Sequence, residues 1–380
     1  MPKNSRHATL WSPRGCDRLV CLMAHTSTVQ FMSNDPQNGT MTAAVLHEHN
    51  TALSFEQVPI PVPGRGEELI KVIACGVCHS DLHAVDGDWA TLPVLPLIPG
   101  HEVCGRVVAC GPGVHGIGVG QLVGVAWMYS SCGHCDYCRA GMETICPVTE
   151  GTGYSKPGGY AEYVVAVADF VAVLPDHIDP IAIAPILCAG VTTYRGLKRS
   201  GVMPGQWVAI VGIGGLGHLA VQYARAMGMR VVAVDVDIDK LDLARSLGAE
   251  VVVNGLQSDA MAKIQSTMGG VHGVVVTAVA TRAFEQALGM LRPAGVAVFI
   301  GMPGGRGDEM KMSISTLVNG ELSVRGSNVG TRIDLQEAVD FAARGAVTAT
   351  IRTVSLVEVN DVLDDMRHGR IVGRVVIDMR

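Results

Sequence analysis

The chain is short of aromatic residues, short of charge and without a long apolar run, and each shortage excludes something. Phe, Trp and Tyr make up 4% of its 380 residues, so any core is built mainly from aliphatic side chains. Charged residues reach only 17%, the formal net charge is −6, and no basic run stands out. A nucleic-acid partner or an anionic membrane surface is therefore not expected. No window holds the ~18 uninterrupted apolar residues of a membrane span. The apolar stretch nearest the N-terminus, "LVCLMA" from Leu19 to Ala24, is shorter than the core of a signal peptide, about 7–15 residues. A cytoplasmic protein is expected. In that reducing compartment its 11 cysteines should not pair as disulfides. Metal is the first explanation to test.

Glycine, by contrast, is abundant at 46 residues, and 48% of the chain is hydrophobic, with a mean hydropathy of +0.31. That composition suits about two or three globular domains with many tight βα turns. Residues 1–40 are polar and irregular and carry no persistent period. They are expected to be a disordered extension, either from a start placed too far upstream or, as a rival, a transit peptide. From residue 41 to about 190, short apolar runs such as "ELIKVIACGV" and "GQLVGVAW" are broken by Gly and Pro, the pattern of a β-rich domain. From about 190 to 325, strands such as "WVAIVG", "RVVAVD" and "GVAVFIG" alternate with helical segments, which argues for βαβ units and a parallel sheet. The tail holds a helical stretch, "DLQEAVDFAARG", and a final strand, "GRVVIDM".

Within "VAIVGIGGLGHLAVQYARAMGMRVVAVDVD", Gly212, Gly214 and Gly217 form G-x-G-x-x-G between a strand and a helix. Gly212 permits the tight turn, Gly214 lets backbone approach a pyrophosphate, and Gly217 lets helix and strand pack closely. The helix N-terminus offers free N–H groups to phosphate. Asp235 follows at the end of the next strand, 18 residues past Gly217, where an acid accepts ribose hydroxyls and repels a 2′-phosphate. NAD is expected over NADP. The competing reading is a glycine-rich turn that binds nothing.

"CGHCDYCRAGMETIC" spaces Cys132, Cys135, Cys138 and Cys146 as C-x2-C-x2-C-x7-C. Four thiolates in one loop can wrap a tetrahedral zinc with no open position, a structural site. An iron–sulfur cluster has similar spacings. A nucleic-acid-binding zinc ribbon is the other rival, although Asp136 and Glu143 make this loop an unsuitable basic surface. A second group is open in sequence but complete in chemistry. "CGVCHSDLH" supplies Cys78, "IPGHE" supplies His101 and Glu102, and "ILCAGVTTY" supplies Cys188. Two thiolates and an imidazole leave one position on a zinc ion for water or substrate.

These motifs, in this order and followed by "GMPGG" and "GRIVGRVVID", resemble the zinc-dependent alcohol dehydrogenases of the medium-chain dehydrogenase/reductase superfamily. The resemblance runs from about Met41 to the C-terminus. It is closest to the tetrameric, ethanol-active yeast and bacterial branch, because the gap from Cys146 to Cys188 lacks the insertion of the dimeric animal enzymes. It implies an α/β chain. Residues 41–189 and 328–380 would form a β-rich GroES-like catalytic domain carrying the zinc lobe 132–146. Residues 190–327 would form a doubly wound Rossmann domain for NAD. It also implies two zinc ions per subunit and a homotetramer, with a dimer as the alternative.

Residue by residue, the resemblance makes Cys78, His101 and Cys188 the catalytic zinc ligands, and leaves Cys75 without a role. Glu102 would sit beside the metal, and Asp81 would orient His101. Ser80 would hold the proton of the substrate oxygen, and His83 would end the proton relay. His79 and Arg374 would contact pyrophosphate. Gly215, Leu216 and Lys240 join the glycines and Asp235 in binding the cofactor. Trp89, Trp127 and Met302 would wall a narrow substrate pocket. The implied reaction is hydride transfer between small alcohols and NAD. The alternatives are a dehydrogenase for bulkier or aromatic alcohols, or a non-enzymatic zinc- or nucleotide-binding protein on the same fold.

Overall fold

The computed structural model describes residues 39–304 and 309–380. The expected extension, apart from its last two residues, lies outside the described residues. The first strand, Thr40–Val45, begins one residue earlier than the sequence pattern suggests.

Six parallel strands form one sheet. In spatial order they are Val251–Asn254, Arg230–Asp235, Trp207–Val211, Val271–Val276, Leu291–Phe299 and Ser323–Gly326. Their apolar runs are continuous rather than alternating because both faces are covered. Helix Gly217–Ala226 packs on one face through Leu219, Ala220 and Tyr223. Helices Ala260–Met268 and Thr281–Met290 cover the other through Ile264, Phe284 and Ala287. The winding reverses between Trp207–Val211 and its neighbour Val271–Val276. In such sheets the crevice for a ligand opens at that switch point, beyond the carboxyl ends of the strands. Gly212 directly follows Val211 there.

The second, largely antiparallel sheet has seven strands. Its path runs Ile351–Val354, Arg374–Asp378, Glu67–Val77, Glu102–Cys110, Leu122–Val125 and Ala172–Val173, with Tyr163–Val167 also paired to Glu67–Val77. The strand Val251–Asn254 of the parallel sheet, Ser323–Gly326 and Ile351–Val354 are too short to stand out in the sequence. Register in the second sheet is what gathers the site. Val375 lies opposite Val77, and Gly76 lies opposite both Val376 and Glu102. Cys78, Glu102 and Arg374 therefore emerge at the same end of three adjacent strands.

Among the described residues, no single helix is long and apolar enough to cross a membrane. The bent pair Pro180–Leu187 and Ala189–Ser200 is apolar because Ile183, Ile186, Leu187, Val191 and Leu197 fill the core.

Candidate active site

Helix His79–Asp86 starts where strand Glu67–Val77 ends. Cys78 is its extended N-cap, and Asp81 accepts the Cys78 backbone N–H at 2.9 Å. This capping contact holds the orphan amide of the helix start and turns the Cys78 thiol inward. Cys188 occupies the equivalent position before helix Ala189–Ser200. The two sulfurs are 3.9 Å apart, and His101 Nε2 lies 3.2 Å from Cys188 Sγ. Cys78, His101, Cys188 and Glu102 are all buried, and one ligand atom of each lies within 4.8 Å of the others.

Asp81 also organises His101. Its Oδ1 accepts from His101 Nδ1 at 2.8 Å and from the Gly100 amide at 3.2 Å. Its Oδ2 accepts from the Tyr160 hydroxyl at 2.9 Å. With Nδ1 committed to Asp81, Nε2 is the ring atom left to face the cluster, the usual arrangement for a ligating imidazole. The two thiols share their protons unequally. Cys78 is held well below the ordinary thiol value, first by the hydrogen bond from Cys188, against burial, with help from His101 and Arg374. Cys188 is pushed correspondingly up by that same contact and by burial. Cys75, three residues before Cys78, has no such partner. Burial pushes its thiol well above the ordinary range, with Asp81 and Glu102 adding to the effect.

The donor chemistry fits zinc. Two thiols and one imidazole converge in a buried space, and Oε2 of Glu102 is buried there without a hydrogen-bond partner. An unpaired carboxylate oxygen is costly in such a place unless a cation faces it. The sulfur and nitrogen donors select a borderline-soft ion rather than magnesium or calcium.

The glycine loop sits at the switch point. Gly212 has φ +93, and a Cβ on Gly217 would fall 1.8 Å from the Gly212 carbonyl oxygen, so neither position tolerates a side chain. The space beside Gly214 is open, with nothing within 4 Å of where a Cβ would stand. Leu216 caps the following helix. A Cβ on Gly215 would lie 3.0 Å from Arg374 Cδ, so Arg374 passes directly beneath this loop. Its NH2 donates to Glu102 Oε1, and its Nε is buried without a partner. Burial pushes the Glu102 carboxyl up to about 7, against the pull of Arg374. Asp235 ends its strand with its carboxylate turned back to the loop. It accepts from the amides of Ile213 at 2.5 Å, Val236 at 2.7 Å and Asp237 at 3.0 Å. Lys240 lies in the first turn of the next helix, its Nζ 4.0 Å from Asp237. His79 is on the exposed side of its helix beside Cys78.

Away from this cleft, Cys132, Cys135, Cys138 and Cys146 form a second compact group, again with their sulfurs within 4.8 Å of one another. Backbone amides point at the sulfurs: Cys135 N–H to Cys132 at 3.3 Å, Cys138 N–H to Cys135 at 3.4 Å and Cys132 N–H to Cys146 at 3.5 Å. Such donors stabilise thiolates, which suits a four-sulfur zinc site.

Two family models match the chain. "Alcohol dehydrogenase GroES-like domain" matches residues 64–176, and "Zinc-binding dehydrogenase" matches residues 215–344. An alcohol dehydrogenase of Moraxella sp. is 53% identical over 339 residues, covering 89% of this chain and 99% of the relative. An alcohol dehydrogenase of Geobacillus stearothermophilus is 52% identical over 340 residues, covering 90% and 99%. This chain belongs to the zinc-binding alcohol dehydrogenases. Its fold agrees: the solved alcohol dehydrogenase of Aeropyrum pernix superposes with a TM-score of 0.81 at 34% identity, covering 89% of this chain and 99% of that one.

This zinc-binding alcohol dehydrogenase, an enzyme of zinc and a nicotinamide cofactor, lines its cleft with rings. Trp127 meets His101 edge-on at 5.0 Å and Trp89 at 6.0 Å, and Trp89 stacks on His83 at 4.9 Å. Tyr154 fills the angle between the tryptophans, 5.4 Å from each. Ser80 Oγ lies 3.9 Å from Cys78 Sγ. Met302 stands half exposed on the loop after strand Leu291–Phe299.

Four contributors in this zinc-binding alcohol dehydrogenase were not legible in the sequence. Tyr160 holds Asp81, Tyr154 completes the aromatic wall, and Asp88 bonds His83. His218 is fully buried beneath the glycine loop. Its Nδ1 donates to the Gly214 carbonyl at 3.0 Å, and its Nε2 accepts from the Thr350 amide at 3.2 Å. Burial pushes its pKa down to about 4, so the bridge uses the neutral ring. Only the aromatic spacing near "GTGYSKPGGY" hinted at any of these.

Proposed function

We propose that this chain oxidises small primary alcohols, and reduces the corresponding aldehydes, with NAD in preference to NADP. A catalytic zinc would be held by Cys78, His101 and Cys188, and a structural zinc by Cys132, Cys135, Cys138 and Cys146. One observation carries the reading. Arg374 spans the gap between the buried Cys78–His101–Cys188 cluster and the glycine loop, so metal and cofactor sites face one cleft.

When bound, zinc supplies Lewis-acid polarisation of the substrate oxygen. The nicotinamide supplies the hydride acceptor. The chain does the rest. Asp81 fixes His101 in one tautomer. Arg374, with its free Nε, and exposed His79 are placed to meet the cofactor phosphates, and the open space beside Gly214 admits them. Asp235 puts a negative charge where a 2′-phosphate would stand, which supports NAD. Ser80 would take the hydroxyl proton of the substrate as it gives up its own, and His83 would release a proton to solvent. Trp89, Trp127 and Tyr154 narrow the cleft and keep water from the reacting carbon, which supports small substrates.

The resemblance to the tetrameric branch leads us to propose a homo-oligomer as well. Support comes from the outer strand Ser323–Gly326, whose neighbourhood exposes Ile314, Val318 and Val324. Light scattering of the purified enzyme tests this; a monomer at micromolar concentration would rule it out.

The test of function is a rate panel with ethanol, butanol, benzyl alcohol and cinnamyl alcohol, each with NAD and NADP, on protein of measured zinc content. The reading predicts two zinc ions per chain, fastest NAD reduction with the short linear alcohols and a clear preference for NAD. Turnover confined to aromatic alcohols would overturn the substrate assignment, and faster turnover with NADP the cofactor assignment.

A further inference from the structure

Helix His79–Asp86 ends at Gly87, a left-handed C-cap with φ 65. The reversal brings the next residue, Asp88, back alongside the last turn. Both Asp88 carboxylate oxygens reach His83 Nδ1, at 2.8 and 3.0 Å. Trp89, one residue further, lies on the face of the same ring, 4.9 Å between centroids and 26° from parallel. His83 is thus gripped in its plane by one residue and on its face by the next. Its side chain is only 10% exposed, against 30% for Asp88. Nε2 has no hydrogen-bond partner among the described residues.

The opposite wall comes from the cofactor-binding half. A Cβ on Gly304 would fall 2.6 Å from Asp88 Oδ2 and 3.0 Å from His83 Cε1. The loop after strand Leu291–Phe299 therefore rests directly on the pair. Other charged or titratable groups near His83 are few. On its own helix His79 is 6.5 Å away between centroids. The stacked Trp89 and the facing residues 301–304 carry no charge.

We propose that Asp88 is the positioning residue of the proton relay. By accepting Nδ1–H it fixes the neutral tautomer of His83 whose lone pair is on Nε2, and so makes Nε2 the atom that takes the proton. The inference rests on the relay role proposed for His83. In the step itself the proton released by the alcohol adds to Nε2 while Nδ1–H stays on the carboxylate. The imidazolium then gives a proton to water or buffer. No carbon bond changes and no electrons move. Asp88 thereby sets the direction from which His83 accepts. Two unrelated features make this more than a surface ion pair. The carboxylate binds the ring bidentately, and the cofactor-side loop is shaped around the pair.

The experiment is a double-mutant cycle on the zinc-loaded enzyme, with kcat for alcohol oxidation measured from pH 5.5 to 9 for His83→Gln, Asp88→Asn and the double variant. Asp88→Asn should lower kcat near neutrality by about tenfold, a part of the roughly 10²–10⁴ that a positioned base supplies. KM for the alcohol should stay nearly constant. In the His83→Gln background the same substitution should change kcat by less than about twofold, since a residue that acts through His83 has nothing left to act on. Asp88→Glu, which keeps the charge, should recover part of the rate. Multiplying penalties in the double variant, or an Asp88→Asn profile that superimposes on the parent while that of His83→Gln does not, would overturn the inference alone. An unchanged profile in His83→Gln would overturn the relay reading and this inference with it.

Discussion

Arg374 and Glu102 form an ion pair in which both partners are almost fully buried, 4% and 0% exposed. The pair lies between the glycine loop and the cysteine–histidine cluster, with one Glu102 oxygen on Arg374 and the other buried without a hydrogen-bond partner. Removing one member of such a pair leaves an uncompensated buried charge, which costs about 3–5 kcal/mol. Arg374→Met should therefore lower the melting temperature markedly and weaken dinucleotide binding, measured by fluorescence titration. Glu102→Gln should cost at least as much stability, because it strands a guanidinium that cannot shed its charge, whereas the Glu102 left by Arg374→Met, already pushed up to about 7, can protonate. A much smaller thermal shift in Glu102→Gln than in Arg374→Met would argue against this.

The two cysteine groups should respond differently to loss of a ligand. Cys188→Ala should abolish turnover and remove one zinc per chain while leaving most of the melting temperature intact, because the helix that it precedes is anchored by core residues. Cys135→Ala should remove the other zinc and destabilise the fold. That lobe is tied to the chain through Glu143, which accepts from the Arg332 backbone at 2.8 Å and from its guanidinium at 2.9 Å. Glu143→Gln should reproduce part of that loss with both metals retained. Metal analysis beside calorimetry separates these cases.

Asp235 holds three backbone amides, and under the proposed function it would also read the cofactor ribose. Asp235→Ala would strand those amides at a cost of about 1–3 kcal/mol, which confuses any kinetic result. Asp235→Asn keeps an acceptor oxygen but removes the charge. The ratio of kcat/KM for NAD over NADP should then fall by about tenfold, equivalent to ~1.4 kcal/mol. A ratio that does not move would mean that another group selects the cofactor.

Glu68 is buried to 0% in strand Glu67–Val77, and neither carboxylate oxygen has a hydrogen-bond partner. Burial pushes it from 4.5 to about 7. A folded-state pKa above the unfolded value makes the contribution fully present below about pH 4.5 and lost as pH rises through 7. A shift of this size corresponds to about 3 kcal/mol. Glu68→Gln should therefore be more stable than the parent at pH 8, and the advantage should vanish near pH 4.5. Urea unfolding at the two pH values checks it, and a pH-independent difference would count against the mechanism.

The sequence made the chemistry legible where it is written in contiguous residues. The C-x2-C-x2-C-x7-C loop and the G-x-G-x-x-G turn have short local geometries, so spacing alone places their atoms. Strands such as "WVAIVG" and "RVVAVD" were legible because a sheet covered on both faces leaves a run of aliphatic residues. The assignment of Cys78, His101 and Cys188 to one group rested on resemblance rather than spacing. They are separated by 23 and 87 residues, and nothing local brings them together. Asp88 follows a helix-ending glycine and His218 is one of 13 histidines, so nothing local marks either. Glu68 reads as half of a solvated "EE" pair, although its neighbour Glu67 is free to bond the Tyr129 hydroxyl at 2.5 Å and Glu68 bonds nothing.

By itself, then, the sequence determined which donor atoms the protein owns, which two loops can wrap a metal or a phosphate, and that an aliphatic parallel sheet carries the second. Local dihedral preferences and side-chain periodicity are enough for that. Only the tertiary structure decided which of those donors share a cleft. Strand register sets Cys78, Glu102 and Arg374 at one sheet end, and close packing puts Gly304 against Asp88 and His83. Register and packing are long-range, because each depends on the whole sheet finding its pairing, and no short stretch of residues encodes them.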